Sequence, residues 1–257
     1  MEGYRAKFGI DKLDKALGGG VPSGSDILLK NTAGTPKNEL LKSYMLEGLR
    51  EDHPCWLLNT LSYGEDMFRE EEIEKYGDDL IFIDAFSNPY DTKNVKPHTK
   101  HAITDISNIG HIQNVIRDAT ENMKTNRSRG VIDSFTQILK TIEIKPKIKH
   151  GTVSFLTSDV LEYIVTRKPL LREYNASMIY TVNPDAHNQE LMSTLEDIVD
   201  SVISMDRVKT GGDFKSILGK GGRELKSVLT VEKLNRSNFS SREMIMEVEN
   251  GRIKIEK

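Results

Sequence analysis

Asp26-Ile-Leu-Leu-Lys-Asn-Thr-Ala-Gly-Thr-Pro-Lys-Asn-Glu-Leu-Leu-Lys-Ser-Tyr-Met-Leu-Glu-Gly-Leu49 runs from a strand through a loop into a helix. Residues 26–30 form a short apolar run, and Leu40, Leu41, Tyr44, Met45 and Leu49 then recur at helical spacing. The same alternation continues along the chain. Cys55–Asn59, Leu80–Asp84, Val131–Asp133 and Met178–Val182 read as strands. Ile106, Ile109, Ile112, Ile116, Ala119 and Met123 mark one face of an amphipathic helix. Leu156–Leu171 and the set Leu191, Leu195, Ile198 and Val199 give two more helices. Strands alternating with helices predict an α/β fold with a mainly parallel central sheet flanked by helices. From Ser201 the pattern becomes strand after strand, in Val202–Met205, Ser227–Val231 and Met244–Ile255, with an Asn-Gly hairpin turn at Glu249–Arg252. C-terminal antiparallel strands are therefore expected over 201–257, and one domain over 1–257.

The 257 residues are enough for a large core. Charged residues make up 29%, which predicts a soluble chain, and a net charge of −3 offers no global attraction to nucleic acid or an anionic membrane. Cys55 is the only cysteine, so an internal disulfide framework is excluded and a reducing compartment is favoured. No stretch approaches eighteen consecutive apolar residues, and the first residues lack the apolar core of a signal peptide. The expectation is a cytoplasmic protein without a membrane span.

The loop after the first strand occupies the place of a phosphate-binding loop, in which glycine-rich backbone N–H groups and a helix N-terminus wrap phosphates. Of the pattern G-x-x-x-x-G-K-[ST], only Lys37 is kept. Asn31 and Pro36 stand for the glycines and Asn38 for the Ser/Thr. Pro36 cannot donate an N–H, and Asn38 lacks the hydroxyl that would hold magnesium. Two lost contacts at about 1.5–3 kcal/mol each would weaken nucleotide binding by roughly 10²- to 10⁴-fold. The alternative is an ordinary loop entering a helix, with Lys37 exposed to solvent.

The segment Gly9-Ile-Asp-Lys-Leu-Asp-Lys-Ala-Leu-Gly-Gly-Gly-Val-Pro-Ser-Gly-Ser25, within a lead-in over 8–25, resembles the stretch that precedes the phosphate loop in KaiC-like members of the RecA superfamily of P-loop ATPases. Aligned without gaps, the family loop G-x-P-G-T-G-K-T-T-L matches Gly34, Thr35, Lys37 and Leu40. Arg129-Gly-Val-Ile-Asp-Ser-Phe-Thr136 is similar to the family's Walker B stretch, with Asp133 on the acid that orients the magnesium shell. Leu229–Lys233 through Ser241-Arg242 is similar to its V-x-K-M-R-G-x-x-H-S-x-R strand and turn. The resemblance implies a RecA-like fold and a nucleotide site of Gly34, Thr35, Lys37, Asn38 and Asp133 for ATP with Mg2+, weak or vestigial here. It also implies a ring-forming homo-oligomer or a related ATPase subunit as partner.

The departures fall where chemistry would occur. The family's consecutive acids after the second strand become Leu61 and Ser62, while Glu65 and Asp66 match a downstream pair. Loss of a general base costs about 10²–10⁴ in rate, so no catalytic residue is assigned. In the neighbour-facing K-x-R, Lys233 matches, Asn235 replaces Arg, and Arg236 is one place late. Lys233 and Arg236 are thus the trans-subunit candidates, with a solvated strand edge as the alternative. The expectation is a non-hydrolysing regulatory or scaffold protein. A slow ATPase or ATP sensor is the second reading and a DNA-associated protein the third.

His98 and His101 have the spacing of a metal pair, but no acid or Cys accompanies them, and a polar surface loop is the better reading. Lys209–Lys215 and Gly219–Arg223 combine Gly with positive charge, yet no aromatic residues interleave as a single-strand binder requires, so a hairpin loop is favoured.

Overall fold

A computed structural model describes residues 3–87, 99–121, 123, 127–144, 154–208 and 226–256. The segments 209–215 and 219–223, and His98, lie outside the described residues.

The central sheet carries the expected parallel strands: β3 (Asp26–Asn31), β4 (Cys55–Asn59), β5 (Leu80–Asp84), β7 (Arg129–Asp133) and β8 (Ser177–Val182). A short β6 (His101–Ala102) extends one edge, and β9 (Ser201–Arg207) lies parallel to β3 on its other side. The antiparallel strands β10 (Ser227–Leu234), β11 (Met244–Glu249) and β12 (Arg252–Ile255) complete the order β12-β11-β10-β9-β3-β8-β7-β4-β5-β6. A small separate pair joins β1 (Arg5–Ala6) to β2 (Val21–Pro22). This is the RecA-like layout expected from the sequence.

The continuous apolar runs follow from burial on both faces. In β3, Ile27 and Leu29 face one apolar cluster and Leu28 the other, and β8 alternates in the same way. One face is covered by α1 (Asp11–Ala16) and α2 (Lys37–Arg50), the other by α4 (Ile109–Thr120), α5 (Phe135–Ile144), α6 (Ser154–Glu173) and α7 (Gln189–Ile198). A short α3 (Glu70–Tyr76) precedes β5. The Asn-Gly turn between β11 and β12 has φ of 51° at Asn250 and 71° at Gly251, the left-handed pair a tight hairpin needs.

Helix α4 is shorter than the apolar period suggests, because Asn108 caps it by accepting from the His111 N–H at 3.0 Å. Ile106 is buried ahead of that cap. Helix α5 is not among the helices expected above, although Phe135, Ile138, Leu139 and Ile142 stand at the spacing of one helical face and are all buried.

The lead-in segment is an architectural element. Asp14 accepts from the backbone of Phe8 at 2.7 Å and of Ile10 at 3.1 Å, and its carbonyl takes the Gly19 and Gly20 N–H groups. Gly20 has φ of 116°, and a β-carbon there would stand 2.7 Å from the Ala6 carbonyl oxygen. Behind α2, buried Arg129 donates to the Tyr44 carbonyl at 2.8 Å, the Tyr4 hydroxyl at 2.8 Å and Glu51 at 2.7 Å. Tyr4 also bonds Glu51 at 2.7 Å and His53 Nδ1 at 2.9 Å. One guanidinium thereby holds the N-terminal segment, α2 and β7 together.

Candidate functional site at the strand ends

The C-terminal ends of β3, β8, β7 and β4 lie side by side, which is where open parallel sheets place ligands. Loop 31–36 leaves β3 there and α2 begins at Lys37. The Lys37 ammonium is paired with Asp133 Oδ1, at the end of β7. Thr181, at the end of β8, donates to the same oxygen at 2.6 Å. Asp133 is 2% exposed, and Lys37 is 13% exposed, so Lys37 is not the solvated loop lysine of the alternative reading. Behind them the Thr60 N–H donates to the Asp133 carbonyl at 2.7 Å, and Thr60 Oγ1 accepts from the Ser134 N–H at 2.9 Å. The Asp133–Ser134 peptide is cis.

Loop 31–36 is closed on itself. The Thr32 N–H donates to the Met205 carbonyl at 3.1 Å, and the Thr35 N–H and hydroxyl both donate to the Thr32 carbonyl, at 3.4 and 2.8 Å. Pro36 sits at φ −79° and ψ 56°, and the Lys37 N–H donates across it to the Thr35 carbonyl at 2.8 Å. That is an inverse γ-turn, a conformation the proline ring favours by fixing φ. Gly34 has φ of 79°, and the Arg207 guanidinium lies where its β-carbon would be. Asn38 is exposed at the start of α2.

A magnesium triphosphate needs loop N–H groups turned inward, a free lysine and a hydroxyl ligand. Here Pro36 has no N–H, the Thr35 and Lys37 N–H groups are used within the loop, and Lys37 is neutralised by Asp133. The residues as arranged do not fit that group.

After β4, Asn59 Oδ1 accepts from the Leu61 N–H at 2.9 Å and the Ser62 N–H at 3.2 Å, shaping an Asx-turn. Leu61 is turned outward, 53% exposed. Glu65, an acid of the downstream pair, lines a separate cleft with Gly77 and Phe82. Lys233 and Arg236 are not brought to the Lys37–Asp133 pair. Lys233 donates to the Glu196 and Asp197 carbonyls at 2.7 and 3.0 Å, at the end of α7. Arg236 lies past the opposite ends of β3 and β9, on Ser25 Oγ at 2.7 Å and 4.0 Å from Asp200. Among the described residues no cluster of three or more His, Cys, Asp or Glu could hold a metal. No helix among them is long and apolar enough to cross a membrane.

Thr60, Thr181 and Arg207 are the site residues that sequence reading misses. The two threonines are ordinary strand-end residues, and Arg207 reads only as the start of a Gly- and Lys-rich stretch.

A family model described as the KaiC ATPase matches residues 6–257. The chain belongs to the KaiC ATPase family. A crystal structure of a KaiC-like protein from Pyrococcus horikoshii aligns with this KaiC-family chain at a TM-score of 0.67 over 99% of each, at 18% identity, a likeness of fold. A UPF0273 protein of Methanocaldococcus jannaschii is 24% identical over 227 residues, 83% of this chain and 85% of that protein. A UPF0273 protein of Sulfurisphaera tokodaii is 28% identical over 150 residues, 54% of this chain. The match with this KaiC-family chain spans about half (50%) of that relative's length.

Proposed function

We propose that this KaiC-family chain does not turn over nucleotide and acts as a regulatory or scaffold protein through contacts with its own copies or a related ATPase subunit. The observation that carries the reading is the turn at Pro36, which takes the Lys37 N–H into the loop while the Lys37 ammonium is held by Asp133. Leu61 and Ser62 in the place of the family's acids support it independently, since no carboxylate there can activate water. ATP turnover by the purified chain should not exceed that of Lys37→Ala. Calorimetry with ATP and magnesium should detect no binding at micromolar nucleotide. Hydrolysis abolished by Lys37→Ala would overturn the proposal.

A second reading, a weak ATP sensor, is favoured by one feature. Arg207 places a cation directly on Gly34, beside a loop whose lysine is already neutralised. Under it, ATP would bind with or without magnesium and lose affinity in Arg207→Ala.

A further inference from the structure

At the end of the sheet away from loop 31–36, a cavity of about 700 Å3 opens between α4 and α6. Its walls include Trp56, Ile116, Leu171 and Met178, from β4, α4, α6 and β8. A volume of this size matches sites for small organic molecules, which span about 300–1,000 Å3.

Trp56 is only 5% exposed, and among the described residues its indole N–H has no protein acceptor. The ring edge that carries Nε1 lies over Gly130, itself part of the cavity wall. Glycine is needed at that point, because a β-carbon on residue 130 would stand 2.9 Å from Nε1. Nε1 is not among the fully enclosed polar atoms left without a partner, so the indole N–H is open to the cavity and can be donated to an occupant.

The mouth carries charge of one excess sign. Arg117 and Arg167 both line it, with Glu121 as the opposing carboxylate. Arg167 stacks its guanidinium 4.8 Å from the Tyr163 ring centre, a contact made through its planar face, and among the described residues no carboxylate pairs with it. Among the described residues Arg117 pairs with the exposed, adjacent Asp118 at 3.6 Å, a pair that solvent screens.

We propose that this cavity binds a small amphipathic anion, an aromatic or branched apolar body carrying one carboxylate or sulfonate. The body packs on Trp56, Ile116, Leu171 and Met178, an acceptor atom takes the Trp56 N–H, and the anionic group meets Arg117 and Arg167. The site is separate from the phosphate loop and independent of the function proposed above.

Trp56 is the only tryptophan in the chain, so its emission reports the cavity alone. Titrating the full chain with anilinonaphthalene sulfonate under selective tryptophan excitation should give saturable quenching with energy transfer to the probe. Arg117→Glu, at an exposed position, with Arg167→Glu, at a half-buried one, should weaken binding at least about tenfold, from the loss of charge-assisted hydrogen bonds. The uncharged analogue N-phenyl-naphthylamine should bind less tightly to the native chain, and its affinity should be unmoved by the double variant. Quenching that never saturates, or equal sulfonate affinity in the native chain and the double variant with matching thermal melts, would overturn the proposal.

Discussion

The guanidinium of Arg207, the last residue of β9, occupies the space that a β-carbon on Gly34 would take. A strand end is thereby packed onto loop 31–36, and the left-handed Gly34 both permits the turn and clears room for the arginine. Gly34→Ala should destabilise the chain by about 1–3 kcal/mol in urea melts, part from backbone strain and part from displacing Arg207. In an Arg207→Ala background the same change should cost less, leaving only the strain. Equal costs in the two backgrounds would mean that the two residues are not coupled.

The ion pair of Lys37 with Asp133 leads to a sharper expectation. Lys37→Met leaves a buried carboxylate with Thr181 as its one side-chain partner among the described residues, and should cost about 3–5 kcal/mol of stability. Adding Asp133→Asn should recover much of that loss, because the remaining polar group is neutral. Additive losses in the double variant would contradict a direct pairing.

His53 gives the chain a pH dependence. It is buried, and desolvation together with the neighbouring Arg129 lowers its pKa below the usual 6.5. The folded state thus binds a proton less readily than the unfolded state. Its contribution should be complete above pH 6.5 and should fall away as pH drops from there toward the folded value. The denaturation midpoint of His53→Gln should show a shallower slope across that window than the native chain does.

Cys55 should be chemically silent. It is fully buried, and desolvation pushes its thiol up to about 12, so almost no thiolate exists near neutrality. An aromatic disulfide reagent should label it only slowly in native buffer and rapidly in denaturant. Fast native labelling would show that the β4 end opens far more readily than its packing implies.

Much of the frame was legible because each parallel strand announces itself by burial on both faces. Asp26–Asn31, Cys55–Asn59 and Ser177–Val182 are apolar runs flanked by helical periods, and any neighbours they pair with will cover them. Helix α5 was harder to read: Phe135, Ile138, Leu139 and Ile142 do keep helical spacing, but the segment is rich in β-branched residues and only Ser134 separates it from β7. The lead-in glycines were readable as a motif, but their reason, the Asp14 cap and the close Ala6 carbonyl, was not.

The amino-acid sequence alone determined the strand–helix alternation, the absence of an N–H at Pro36 and the absence of a hydroxyl at Asn38, because each is a property of one residue or its neighbours. Only the tertiary structure decided that Lys37 meets Asp133 and Thr181, that Arg207 covers Gly34, and that Arg236 turns to Ser25 and Asp200. Those contacts join residues far apart in the chain. They depend on the sheet order β9-β3-β8-β7-β4, which long-range packing selects and no local pattern encodes.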